Sequence, residues 1–190
     1  MKPEETSSAP NALAKLQRLS KLSVWISAAA IALASGVLIY LFWGIASGNA
    51  GFMEKLLKEI GFPGDVPPLN PAMRWLIGLI WISADILGLM FLIQVNALFR
   101  GFLNSGVFTI ETPRRLRRIG LIILSLGPVS IFAETLDILL IGLWKGNTIT
   151  GSITIEDSDV YAIIVGLVIT AASHIMLEAS RLSDENQAFI

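Results

Sequence analysis

Residues 75–99 read WLIGLIWISADILGLMFLIQVNALF, an apolar run whose one charged side chain, Asp85, stands near its centre. A hydrocarbon core about 30 Å thick needs roughly 20 apolar residues of helix to cross it, so this stretch alone can span a bilayer. Lipid offers no partner to backbone N–H and C=O groups, which restricts a spanning segment to a helix or a strand of a closed barrel. The apolar positions run on without period-two alternation, and that selects the helix. Working outward, residues 22–44, 119–143 and 160–179 have the same character. The expected fold is all-α: an integral membrane four-helix bundle, antiparallel, with both termini cytoplasmic. Composition points the same way. The 190 residues are 54% hydrophobic and 15% charged, with a mean hydropathy of +0.69, whereas soluble domains carry about 25% charge. Lys15, Arg18 and Lys21 precede the first span as they would in a signal peptide. Its apolar run exceeds the roughly 7–15 residues of a signal core, so it reads as a retained helix.

Orientation follows from the basic residues, which accumulate on the cytoplasmic side. With the N-terminus inside, that side collects Lys2, Lys15, Arg18, Lys21, Arg100, Arg114, Arg115, Arg117, Arg118 and Arg181, leaving Lys55, Lys58, Arg74 and Lys145 outside. Trp25 then falls at the inner interface, and Tyr40, Trp43, Trp75, Trp144 and Tyr161 at the outer one, where amphipathic rings are favoured. Only Trp81 lies inside a span. Residues 1–21 are expected to form a cytoplasmic tail, disordered over 1–10 and extending the first helix over 11–21. Residues 22–180 form the membrane domain, and 181–190 a second cytoplasmic tail. In the outer loop, Phe52, Leu56, Leu57 and Ile60 alternate with charged residues at helical spacing and predict a short interfacial helix. It is ended by Gly61, Pro63, Gly64, Pro67 and Pro68. A small hairpin is compatible with 145–159.

Residues three, four and seven apart share a helix face. Small or polar stripes then emerge: Ala28, Ala32 and Gly36; Gly78, Asp85 and Gly88, with Asn96 roughly aligned; Gly120, Gly127, Ser130, Glu134 and Asp137; Ala162, Gly166, Thr170, His174 and Glu178. Small residues at such spacing let membrane helices approach closely, and Pro128 predicts a kink in the third span. At about 1.5 Å per residue, Asp85 and His174 lie about 15 and 21 Å below the outer edge, with Glu134 above them. An ionisable group near the centre costs about 2.5–3.5 kcal/mol on insertion scales and faces other helices or a cavity. Asp85, Glu134 and His174 are therefore the intramembrane candidates. Asn96, Asp137 and Glu178 come out at an interface, within reach of water or headgroups. Arg114, Arg115, Arg117 and Arg118 are expected to contact anionic lipid, at about 1 kcal/mol each.

No cysteine is present and histidine occurs once, which removes disulfides, thiolate metal sites and a histidine-rich cluster. Neither a phosphate-binding glycine loop nor a nucleophile elbow occurs. No catalytic residue, metal ligand or cofactor is assigned, and nucleic acid is not an expected partner.

The strings Leu98-Phe99-Arg100-Gly101-Phe102, Gly106-Val107-Phe108-Thr109 and Arg114-Arg115-Leu116-Arg117-Arg118-Ile119-Gly120 carry a resemblance, as does the tail Glu178-Ala179-Ser180-Arg181-Leu182-Ser183-Asp184-Glu185-Asn186. They resemble a family of bacterial multipass proteins catalogued as domain of unknown function 2975. The resemblance implies a four-helix protein of the bacterial cytoplasmic (inner) membrane and brings no activity with it. The leading expectation is a non-enzymatic assembly, accessory or regulatory component that associates with itself or with a larger membrane complex. The alternatives are a small oligomeric proton- or cation-coupled transporter using Asp85 and Glu134, and a haem- or pigment-binding subunit through His174.

Overall fold

The computed structural model describes residues 8–59, 69–105, 111–145, 153 and 155–187. Five helices follow in order: α1 (Ser8–Ser47), α2 (Ala50–Glu59), α3 (Pro71–Ser105), α4 (Glu111–Lys145) and α5 (Asp157–Gln187). All but α2 are long and apolar enough to cross a membrane. A 35-residue helix such as α3 is about 52 Å long, more than the hydrocarbon core, so the helices outrun the apolar spans read from the sequence. Pro10 belongs to the first turn of α1, where proline's missing N–H is harmless, and the helix already includes residues 8–10. The rest of the polar tail, the Gly61–Pro68 breakers, loop residues 106–110, most of the 145–159 hairpin and residues 188–190 lie outside the described residues. α4 continues as helix through Pro128.

The helices pack in a row. α1 lies on α3, α3 on α4 and α4 on α5, with at most a marginal contact beyond these pairs and that of α1 with α2. Successive neighbours are antiparallel: late α1 meets early α3 at Ile45 and Gly78, mid-α1 meets late α3 at Ser27 and Asn96, and early α3 meets late α4 at Trp81 and Asp137. The expected antiparallel arrangement of four long helices is present, and it takes the form of an open layer with α1 and α5 at its edges. Lipid tails are as apolar as leucine, so no hydrophobic force drives the edge helices together.

Tight apolar burial is concentrated at one end. Leu41 and Ile45 of α1, Met53, Leu56 and Leu57 of α2, Ile77 of α3 and Ile141 of α4 form a buried cluster. Hence α2 presents its apolar face to protein, not to the lipid interface, and the Phe52 ring seats directly on Gly44. Asn49 starts this helix, its Oδ1 accepting from the N–H of Gly51 at 3.0 Å, a capping role suited to asparagine. Gly48 ends α1 with φ +71°, the left-handed geometry glycine adopts without strain. The guanidinium of Arg74 lies against Gly48, placing a cation at a helix C-terminus that has no basic residue in its own last turn.

Candidate functional site

Polar side chains join the helices at separate places along the row. Between α1 and α3, the Asn96 side-chain amide donates to Ser27 Oγ at 2.7 Å and to the Val24 carbonyl at 3.0 Å. Ser27 in turn donates to the Ser23 carbonyl at 2.8 Å. Both Asn96 and Ser27 are buried, which is how an amide is retained in an apolar setting.

Between α3 and α4, Trp81 Nε1 donates to Asp137 Oδ2 at 2.6 Å. Asp137 is only 1% exposed, and its Oδ1 has no hydrogen-bond partner among the described residues. Asn96 and Asp137, expected at an interface within reach of water or headgroups, are each covered by a neighbouring helix. Axial position sets depth in a bilayer, whereas burial is set by what stands alongside. Glu134 lies within electrostatic reach of Asp137 and of Glu156 and Asp159 at the start of α5. Asp159 is buried and accepts from the Glu156 N–H at 3.1 Å, while the Glu156 carbonyl accepts the Asp159 N–H at 3.1 Å. The reach of the Asp159 carboxylate back to the Glu156 N–H is one half of a capping box, so Asp159 has a structural use in starting α5.

Between α4 and α5 the contact is backbone on backbone. A Cβ added at Gly120 would lie 2.5 Å from Thr170 Oγ1 and 2.8 Å from the Thr170 nitrogen; one added at Gly166 would strike the backbone of Leu124. Thr170 turns its hydroxyl to the Gly166 carbonyl at 2.7 Å, and Ser173 is 1% exposed. His174 and Glu178, expected on the same buried stripe, are exposed. A strict four-residue step advances about 40° around a helix of 3.6 residues per turn. The seam therefore passes from Thr170 to Ser173 and leaves His174 outside. The Ala28–Ala32–Gly36 stripe fails for the same reason: Ala32 and Gly36 are exposed, and α1 instead buries Ser20, Ser27 and Leu41, a seven-residue repeat.

Asp85, Glu134 and His174 do not form one site. Asp85 is half-buried and makes no hydrogen bond or ion pair among the described residues. Glu134 is electrostatically linked to the α5 start, and His174 is exposed. The pairings the sequence reading missed, Trp81 with Asp137 and Ser27 with Asn96, had one visible signal: Trp81 is the lone tryptophan placed inside a span.

At the opposite end of α4, Arg115 joins α4 to α3. Its Nη1 donates to the Ala97 carbonyl and its Nη2 pairs with Glu111 at 3.0 Å. A cleft of about 400 Å³ opens there, lined by Gln94, Ala97, Glu111, Arg114, Arg115 and Arg118. Among the described residues no group of histidines and carboxylates is placed to hold a metal ion.

Comparison with known proteins returns no matching curated protein and no matching solved structure. Residues 62–190, which include α3, α4 and α5, do match a family model described as "Protein of unknown function (DUF2975)". The chain, whose three last helices carry the buried Trp81–Asp137 and Gly120–Gly166 contacts, belongs to the DUF2975 family.

Proposed function

We propose that this chain is a non-enzymatic assembly or accessory component of the bacterial cytoplasmic membrane, with both termini in the cytoplasm, and that it associates laterally with further membrane helices. Asp85 carries the reading. It stands near the middle of an apolar span, half-buried and without a partner among the described residues, at an insertion cost of about 2.5–3.5 kcal/mol. A neighbouring polypeptide is the physical means of offsetting that cost, and the open row leaves room for one. The remaining polar contacts, Asn96–Ser27 and Trp81–Asp137, hold helix to helix.

The cysteine-free chain makes the test clean. Gly88 shares the Asp85 face, and the space beside it is open. Gly88→Cys is expected to give cross-linked species larger than the monomer in native membranes, and Asp85→Leu in that background to weaken them. Exclusively monomeric product under both oxidant and bifunctional reagent would refute lateral association.

A second reading, a small oligomeric proton- or cation-coupled transporter, is favoured by the same unpaired Asp85 together with the carboxylates around Glu134. In reconstituted vesicles it requires a flux that Asp85→Asn abolishes. An unchanged flux removes Asp85 from any such pathway.

A further inference from the structure

Four arginines in one short segment carry equal charge, yet the fold treats them differently. Arg114, Arg115 and Arg118 line the cleft between α3 and α4 together with Gln94, Ala97 and Glu111; Arg117 does not. Arg115 is held in place by Glu111 and the Ala97 carbonyl, and that ion pair neutralises the one carboxylate in the cleft. Arg114 and Arg118 lie one turn apart on the same face of α4. Both are exposed, and neither has an ion pair or hydrogen bond among the described residues. Two uncompensated guanidinium groups thus face a cleft whose wall supplies the Gln94 amide as a further donor. The positive end of the α4 dipole adds to the field.

We propose that this cleft binds the phosphate group of an anionic glycerophospholipid. Guanidinium groups bind phosphate oxygens through paired, charge-assisted N–H···O bonds, and basic clefts between membrane helices suit lipid headgroups. The apolar surface beside the cleft favours a lipid over a soluble anion. Met90 is one turn further into the span from Gln94, and Leu121 is three residues on from Arg118; both are exposed, on the faces that carry the cleft residues. A headgroup among the arginines would lay its acyl chains along them.

The test uses the full chain in mild detergent doped with phosphatidylglycerol or phosphatidylcholine, with retained lipid counted by native mass spectrometry. Phosphatidylglycerol is expected to be retained in preference to phosphatidylcholine. Arg114→Ala and Arg118→Ala are each expected to weaken retention about fivefold, and Arg117→Ala to leave it within about twofold. Glu111→Gln removes the only carboxylate and is expected to tighten retention, a gain that misfolding cannot imitate. A loss in Arg117→Ala equal to that in Arg118→Ala would mean diffuse surface attraction and would overturn the cleft. So would unchanged or weaker retention in Glu111→Gln. Inorganic phosphate is expected not to displace the lipid; displacement at millimolar concentration would identify a soluble anion as the occupant and defeat the lipid assignment.

Discussion

Asp137 and Asn96 show how a membrane chain uses polarity away from water. Among the described residues the Asp137 carboxyl rests on one hydrogen bond, from Trp81 at 2.6 Å, and its other oxygen is buried without a partner. Removing that donor leaves both oxygens unmatched, and a buried unsatisfied polar group costs about 1–3 kcal/mol. Trp81→Phe is therefore expected to lower unfolding stability in detergent by about that amount. Adding Asp137→Leu is expected to restore most of it, because replacing both partners by apolar groups is nearly neutral. Equal stabilities for the single and double variants would show that the pair is not coupled. Asn96 holds α1 through Ser27 and the Val24 carbonyl. Asn96→Leu is expected to cost about 0.6–1.7 kcal/mol, the range measured for hydrogen bonds between membrane helices. The readout is a denaturant midpoint.

At the level of helices, glycine position separates contact from decoration. Gly166 faces the backbone of Leu124, whereas a Cβ at Gly142 would meet nothing within 4 Å. Gly166→Leu is expected to force α4 and α5 apart at a cost near the top of the roughly 1–3 kcal/mol seen on overpacking. Gly142→Ala is expected to be neutral, or to gain up to about 1 kcal/mol of helix propensity. Parallel thermal melts decide, and similar losses in both variants would contradict the α4–α5 seam. On α2, the Lys58 ammonium donates to Glu54 at 2.6 Å; that hydrogen bond, and then the Lys58 charge, hold the Glu54 carboxyl below its ordinary value. The sign follows from linkage. A carboxyl lowered on folding contributes stability above its unfolded pKa, and the contribution fades as pH falls through the lowered folded value. The pair is exposed, so the effect is confined to titration. Lys58→Ala is expected to return the Glu54 carboxyl resonance to the usual glutamate range, with the melting midpoint unmoved.

At the scale of the whole molecule, the proposed cytoplasmic placement of both chain ends rests on an even number of crossings and on the ten-to-four distribution of Lys and Arg. Tags at either end are expected to resist external protease in intact spheroplasts and to be cut after lysis. Protection of only one end would break the even-crossing topology. What was legible beforehand was what needs no neighbour. Whether a segment spans depends on summed hydropathy over about 20 residues, so residues 75–99 announced α3 without reference to any other helix. Which side of each helix is covered is a relation between elements. The α4 backbone at Gly120 lies against Gly166 and Thr170, and the burial on α5 continues to Ser173 and not to His174. Asp137 is buried because Trp81 stands opposite it, although its position along α4 pointed to water. The open row, too, came only from tertiary structure, since each long helix packs on its neighbour while lipid supplies no force to close the ends. The spans and their residence in a membrane follow from residue order alone, because transfer into hydrocarbon is a property of each segment. The facing and pairing of polar groups follow from packing, because they depend on the shape of a neighbour that no single segment contains.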